Sequence, residues 1–158
     1  MKAVIQRVKN ATVIANGTLS GEISHGLYIL LGVEKGDGKE DALALAEKIA
    51  KLRIFTDKND KMNLSVNDVS GEVMVVSNFT LNANYAHGNR PDYFGSAEPA
   101  LANELYEHFV MLLSERVSKV ATGKFGQDMQ TSMTTDGPVT IIMESDVLLK
   151  KPKRELSL

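Results

Sequence analysis

Leu27-Tyr28-Ile29-Leu30-Leu31 is an unbroken apolar run. Alternation of apolar and polar residues marks a strand with one wet face. Five apolar residues in succession, bounded by turn formers, mark a strand buried on both faces. A chain carrying such a strand must cover both sides of its sheet, and the remaining pattern supplies the cover. Residues 2–8 and 11–15 read as strands, Asn16-Gly17 as a hairpin turn, and 18–23 as the returning strand. Gly36-Asp37-Gly38 is a plain turn, because a Gly-x-Gly without a third glycine is weak evidence for a phosphate loop.

Residues 40–52 place Ala42, Leu45, Ala46, Ile49 and Leu52 on one helical face, with Lys48 and Lys51 in the last turn. Glu72 to Leu81 is a β-branched strand, and a long loop follows from Asn82 to Gly95. Ser96 is placed to cap a second helix with Pro99 in its first turn and Leu101, Leu105, Phe109 and Leu112 as its buried stripe. Strands return at 119–125, 129–134 and 139–144, with Asp136-Gly137-Pro138 as a turn between the last two. Strands, helix, strand, helix, strands, with no repeat and no linker, predict a single α/β domain whose mixed sheet is covered by two helices.

Composition narrows the chemistry. The 158 residues include no cysteine, which excludes thiolate nucleophiles, disulfides and cysteine-held metals. His25, His87 and His108 lack partners at ligand spacing, so neither a metal nor any other cofactor is expected. The first residues carry charges within their apolar stretch, unlike a signal peptide, and no run nears the ~18 apolar residues of a membrane span. A cytoplasmic protein without membrane contact is therefore the expectation. With 18 basic and 20 acidic residues the chain lacks the charge to hold long duplex nucleic acid, which leaves room for contact with a nucleic-acid end. The one basic cluster, Lys150-Lys151-Pro152-Lys153-Arg154, reads as a solvated tail. A Gly-x-Ser-x-Gly elbow is missing, and the paired carboxylates Glu40-Asp41 read as a solvent-facing helix start.

Two segments stand out. Ser77-Asn78-Phe79-Thr80-Leu81 gathers three polar side chains at the end of a buried strand, which can be an ordinary strand end or a reaction site. Thr135-Asp136-Gly137-Pro138-Val139-Thr140 reads by itself as a plain trans turn. In combination with Ala3-Val4-Ile5-Gln6-Arg7-Val8, Leu31-Gly32-Val33, Leu52-Arg53-Ile54-Phe55, Lys61-Met62-Asn63-Leu64-Ser65-Val66, Gly88-Asn89-Arg90-Pro91 and Thr122-Gly123-Lys124-Phe125-Gly126-Gln127-Asp128-Met129, they carry a resemblance to the D-aminoacyl-tRNA deacylase family over residues 1 to about 145. The chain departs from that family's pattern at Asn78 (Gln in the family), Thr134 (Asn) and His87 (Lys).

The resemblance implies a three-layer β/β/α domain with mixed, largely antiparallel sheets and two main helices, spanning 1–146, with 147–158 as a basic tail. It implies a homodimer in which the Gly137-Pro138 turn, in cis form, enters the partner's site with its carbonyl oxygens facing the substrate stereocentre, and in which Arg7 helps hold that turn. The implied partner is the aminoacylated 3′ end of tRNA. Ser77, Asn78 and Thr80 would line the reacting ester, Phe79, Leu81, Phe125 and Met129 the terminal adenosine, and Gln6 would join Arg7 beside the substrate. The implied reaction is hydrolysis of D-aminoacyl-tRNA and of tRNA mischarged with glycine. Attack by water assisted by the ribose 2′-hydroxyl, with backbone amides near Phe79 and Thr80 polarising the carbonyl, is favoured. Covalent attack by Thr80 is the alternative, although no base is evident for it. A non-catalytic RNA-end binder and a small-molecule esterase are the rival classes. A clade of the family that clears L-alanine is disfavoured, because its motif begins with Pro where this chain has Ser77.

Overall fold

The computed structural model describes residues 1–152, so Lys153 and Arg154 of the basic cluster lie outside it. One strand organises the rest. β1 (Lys2–Ala15) pairs antiparallel along one edge with β2 (Thr18–Ile23) and then with β3 (Gly26–Gly32), which continues β2 beyond a break at Ser24-His25. Its other edge pairs antiparallel with β8 (Met129–Glu144) over nearly its whole length. β6 (Glu72–Ser77) adds parallel to β3, and β7 (Val120–Thr122) adds parallel to β6. A small hairpin, β4 (Phe55–Thr56) with β5 (Met62–Leu64), stands apart.

Helices α1 (Lys39–Ala50) and α2 (Pro99–Ser114) cover one face of the sheet. The core beneath them includes Ile5, Ile29, Leu31, Leu45, Ile49, Val73, Val75, Leu105 and Phe109. On the opposite face the sheet curls over itself around a second core of Val8, Val13, Ile23, Tyr28, Met74 and Val76, with Met129 and Met133 packed against it. Ser20 Oγ donates to the Thr122 carbonyl at 2.9 Å, and the Asn16 N–H donates to the Asp128 carbonyl at 3.2 Å, which draws β7 and the start of β8 toward the β1–β2 hairpin. The three expected layers, two of β and one of helix, are present. The two β layers are halves of a single curled sheet.

Several boundaries differ from the sequence reading, each for a physical reason. Residues 2–15 form one strand, because β1 pairs with β8 on both sides of the exposed Lys9, at Val8 and again at Asn10. Residues 129–144 likewise form one strand. Asp136-Gly137-Pro138 is a bulge within it and does not reverse the chain, because the segments on either side pair with the same β1. The strand from Glu72 ends at Ser77 and passes into a 3₁₀ turn, Phe79–Asn82. Glu98, not Ser96, occupies the cap position of α2, and Leu101 is exposed near the helix start while Tyr106 and Leu113 join the buried stripe.

The acidic start of α1 also differs. Glu40 is exposed, but Asp41 is fully buried. It accepts from the Gly38 N–H at 2.9 Å and from Lys151 Nζ at 2.8 and 2.9 Å. The basic tail is therefore not wholly solvated. After α3 (Ser145–Leu148) the chain turns Lys151 back onto α1. Burial by itself raises the Asp41 pKa, but the hydrogen bonds from Lys151, Gly38 and Ser145 outweigh it and hold the carboxyl below its usual value. The pairing raises the Lys151 pKa. A depressed carboxylate contributes stability above its unfolded pKa and loses it as pH falls through the folded value. A raised amine contributes fully below its unfolded pKa and loses it at high pH. Lys151→Met should therefore cost about 2 kcal/mol across neutral pH, the worth of a charge-assisted pair. The difference from wild type should shrink as pH falls through the lowered Asp41 value and that carboxyl takes up its proton, as read by urea unfolding at neutral pH and along an acid series. Equal stability at pH 7 would show the pair to be energetically silent.

Candidate functional site

The end of β6 sets the first wall of a cleft. Ser77 is the last residue paired with β3, opposite Leu31, and the Asn78 N–H donates to the Leu31 carbonyl at 2.8 Å. Asn78 then leaves the sheet and caps the 3₁₀ turn, its Oδ1 accepting from the Thr80 N–H at 3.2 Å and also from the Thr80 hydroxyl. This short polar side chain captures the turn that follows it, the usual role of Asn at a cap. The turn swings Phe79 outward, 60% exposed, where its ring meets Tyr93 edge to face at 5.0 Å.

The opposite wall comes from the segment joining β7 to β8. Phe125 is half-buried against Tyr106, their ring centroids 5.9 Å apart. Met129 accepts from the Lys124 N–H at its sulfur, 3.3 Å away. Gly123 makes this packing possible, since a Cβ there would stand 2.5 Å from that sulfur. Between the walls lies a cavity of about 690 Å³, lined by Ser77, Asn78, Phe79, Phe125 and Met129 and by Tyr93 and Phe94 of the long loop. Its size and its aromatic sides suit a planar ring system; Ser77 and Asn78 give it one polar edge, and Lys35, Ser96, Glu98, Gln127 and Asp128 add further polar groups to the lining.

Five of the predicted residues thus converge. Leu81 and Thr80 sit on the same turn but do not line the cavity, and the Thr80 amide is already engaged by Asn78. Gln6, Arg7, Gly137 and Pro138 form a separate group. Gln6 Nε2 donates to Thr140 Oγ1 at 3.4 Å. Between the β1–β8 pairs Gln6–Thr140 and Val8–Thr135, the four residues Asp136 to Val139 stand opposite Arg7 alone. The nearly buried Arg7 secures this bulge. Its Nε donates to the Asp136 carbonyl at 3.2 Å and lies 3.2 Å from the Asp136 carboxylate, while Nη1 donates to the Ile54 carbonyl at 2.7 Å. A proline is tolerated in mid-strand here because a bulge makes no ladder bond that needs its missing N–H. Gly137 has φ +128°, and a Cβ on it would fall 2.9 Å from the Val139 nitrogen, so a glycine is required. The Gly137–Pro138 peptide bond is cis, and both residues are exposed.

Tyr93 and Phe94 were not picked out from the sequence. Only the length of the 82–95 loop hinted at them, because aromatic residues in an irregular segment carry no periodicity to say where they point. A carboxylate cluster was also not visible in sequence. Asp37, Asp41 and Asp146 bring ligand atoms within 4.8 Å of one another. Asp37 accepts from the buried α-ammonium of Met1 at 2.6 Å and Asp41 pairs with Lys151, so two of these charges already face cations of the chain itself.

Residues 4–144 match the family model described as D-Tyr-tRNA(Tyr) deacylase. The D-aminoacyl-tRNA deacylase of Thermosipho africanus is 53% identical over 145 residues, covering 92% of this chain and 97% of that one. The D-aminoacyl-tRNA deacylase of Mannheimia succiniciproducens is 56% identical over 140 residues, covering 89% and 96%. Among solved structures, the c-Myc DNA Unwinding Element Binding Protein superposes with a TM-score of 0.85 at 37% identity, covering 91% of this chain and 98% of that one. A probable eukaryotic D-amino acid tRNA deacylase superposes at 0.76 with 12% identity over 90% and 98%, a likeness of fold alone.

Proposed function

The chain belongs to the D-Tyr-tRNA(Tyr) deacylase family, and on that premise we propose that it hydrolyses the ester of D-aminoacyl-tRNA, releasing free D-amino acid and tRNA as a proofreading step in the cytoplasm. The observation that carries this reading beyond family membership is the cleft itself. Aromatic side chains stand on its flanks for a terminal base, and Ser77 and Asn78 form a polar edge where the ester would lie. An aminoacyl ester is already activated, so positioning and hydrogen-bond stabilisation of the oxyanion can supply most of the acceleration. Phe79 opens the 3₁₀ turn, and the first amide of such a turn has no partner within it, which makes it the donor best suited to the oxyanion.

Thr80 is a poor nucleophile in this setting. Its hydroxyl donates to the Asn78 side-chain carbonyl, an amide oxygen too weakly basic to take a proton at neutral pH. Attack by water helped by the ribose 2′-hydroxyl is therefore the mechanism we favour. Thr80→Ala should retain activity to within about tenfold, the worth of one hydrogen bond. A tRNA ending in 2′-deoxyadenosine and charged on its 3′-hydroxyl should resist cleavage. Near-complete loss in Thr80→Ala with recovery in Thr80→Ser would establish covalent catalysis instead.

Within one chain the exposed Gly137-Pro138 bulge does not line the cleft. For it to act on a bound substrate, it must act in the cleft of a second copy. Leu30, Val4 and Ile142 form a directly paired row across β3, β1 and β8, with Ile142 71% exposed, and this row offers an apolar surface for such a homodimer. Solution scattering at micromolar concentration should give twice the chain mass. Mixing a Phe79→Ala variant with a Pro138→Ala variant should recover activity through mixed dimers. A fully active monomer would end the cross-subunit model.

Selection by backbone atoms of this bulge is independent of side-chain chemistry. It should accept D-Tyr, D-Phe and D-Asp alike and reject every L-residue. Glycine, with hydrogen at both α positions, escapes such a filter and should also be released. In matched deacylation assays with chelator present, D-Tyr-tRNA and Gly-tRNA should be cleaved roughly a thousandfold faster than L-Tyr-tRNA, a difference of ~4 kcal/mol. Comparable release of L-alanine and D-alanine would overturn this account, and rapid cleavage of a free amino-acid ester would favour a small-molecule esterase.

A further inference from the structure

Asn82 closes the 3₁₀ turn and is the one residue of that turn that is buried, at 6% exposure. Its Nδ2 donates to the Val33 carbonyl at 2.8 Å and to Ser96 Oγ at 3.4 Å. The assignment of that end as nitrogen follows from the partner, since a backbone carbonyl only accepts. Ser96 Oγ in turn donates to the Phe79 carbonyl at 3.2 Å. The Asn82 Oδ1 is buried and has no hydrogen-bond partner among the described residues. A buried amide with an idle acceptor costs stability that an apolar side chain of the same size would not, so what this position retains is the pair of donors.

Those donors tie the turn to two segments that backbone bonds already join to each other, the Ala97 N–H on the Val33 carbonyl and the Lys35 N–H on the Gly95 carbonyl. Val33 follows the end of β3, Phe79 begins the turn that bears the cleft's aromatic wall, and Ser96 precedes α2 and itself lines the cavity. The site is close-fitting as well. A Cβ on Gly32 would lie 3.1 Å from Asn82 Oδ1 and 3.1 Å from the Asn78 carbonyl, so the turn sits directly on the β3 backbone. We propose that Asn82 and Ser96 form a positioning clamp that holds the Phe79–Asn82 turn, and with it the Phe79 amide and ring, in the geometry that turnover requires. Neither residue needs to touch the reacting ester. The inference rests on the deacylase reading for its kinetic consequence, but its structural part stands without it.

Ser96→Ala removes the link to the Phe79 carbonyl and the longer of the two Asn82 bonds but leaves the 2.8 Å bond of Asn82 to Val33, so it carries little risk to folding. Hydrogen exchange should quicken in peptides spanning 79–83 and remain at the wild-type rate in β1, β3 and α2. Turnover of D-Tyr-tRNA should fall about tenfold in kcat, what one lost hydrogen bond can supply, with KM little changed. Ser96→Thr keeps the hydroxyl and should restore both. Asn82→Leu, matched in size but without donors, should loosen the same peptides, and the double variant should be no worse than the poorer single one, as expected of residues acting as one unit. Unchanged exchange at 79–83 in Ser96→Ala overturns the clamp, as does unchanged kcat. Faster exchange throughout the chain with a lower Tm overturns it too, by reducing the pair to a general structural role. If the wild type cleaves no D-aminoacyl-tRNA, the proposed function fails, and the exchange measurement alone decides the clamp.

Discussion

The fold depends on β1 being hydrogen-bonded along both edges. β2 and β3 in succession occupy one edge and β8 the other. Strand pairing satisfies backbone groups that would otherwise be stranded in the interior. Every other strand of the six-stranded sheet is hydrogen-bonded to it directly or by way of β3. β3 relays it to β6 and β7, the helices cover the face that contains Ile5 and Ala3, and the curl encloses Val8 and Val13 on the other. Both cores therefore share one backbone segment, so a disturbance of β1 reaches the helical layer and the second β layer together.

The same strand ties the two functional groups of residues to the scaffold by different means. At Arg7 the β1–β8 ladder gives way, and a guanidinium replaces the missing backbone bonds by holding the Asp136 carbonyl and the Ile54 carbonyl at once. Its planar, branched set of donors suits that task in a way that a lysine ammonium does not. The cleft is anchored instead through β3, by the Asn78 amide on Leu31 and by Asn82 on Val33. A bulge and a 3₁₀ turn are irregular elements. Each is held by a buried side chain, Arg7 reaching from β1 to the bulge and Asn82 reaching from the turn itself to Val33, which lets irregular segments present groups with the precision of regular structure.

Much of this was legible in the sequence because the pattern was local. The double-sided burial of β3 follows from Leu27 to Leu31, the face of α1 from Ala42, Leu45, Ala46 and Ile49, and the hairpin from Asn16-Gly17. The misreadings share one cause. Asp136-Gly137-Pro138 has the composition of a turn, and composition cannot tell a reversal from a bulge when the deciding fact is that both flanks pair with β1. Asp41 has the composition of a solvated helix start, and the deciding fact is a lysine 110 residues later in the chain.

Local pattern was enough for the class of fold, the family and the short segments with unusual chemistry, because periodicity, turn residues and motif identity are properties of neighbouring positions. Long-range packing supplied the rest. It brought Ser77, Asn78, Phe79, Phe125 and Met129 around one cleft and added Tyr93 and Phe94 to its wall. It also set Gln6, Arg7 and Gly137-Pro138 apart as a second group, and engaged the Thr80 hydroxyl with an amide oxygen. These are distances between residues far apart in the chain or separated by a turn. Such distances depend on how the sheet curls and where its strands end, and no local pattern encodes them.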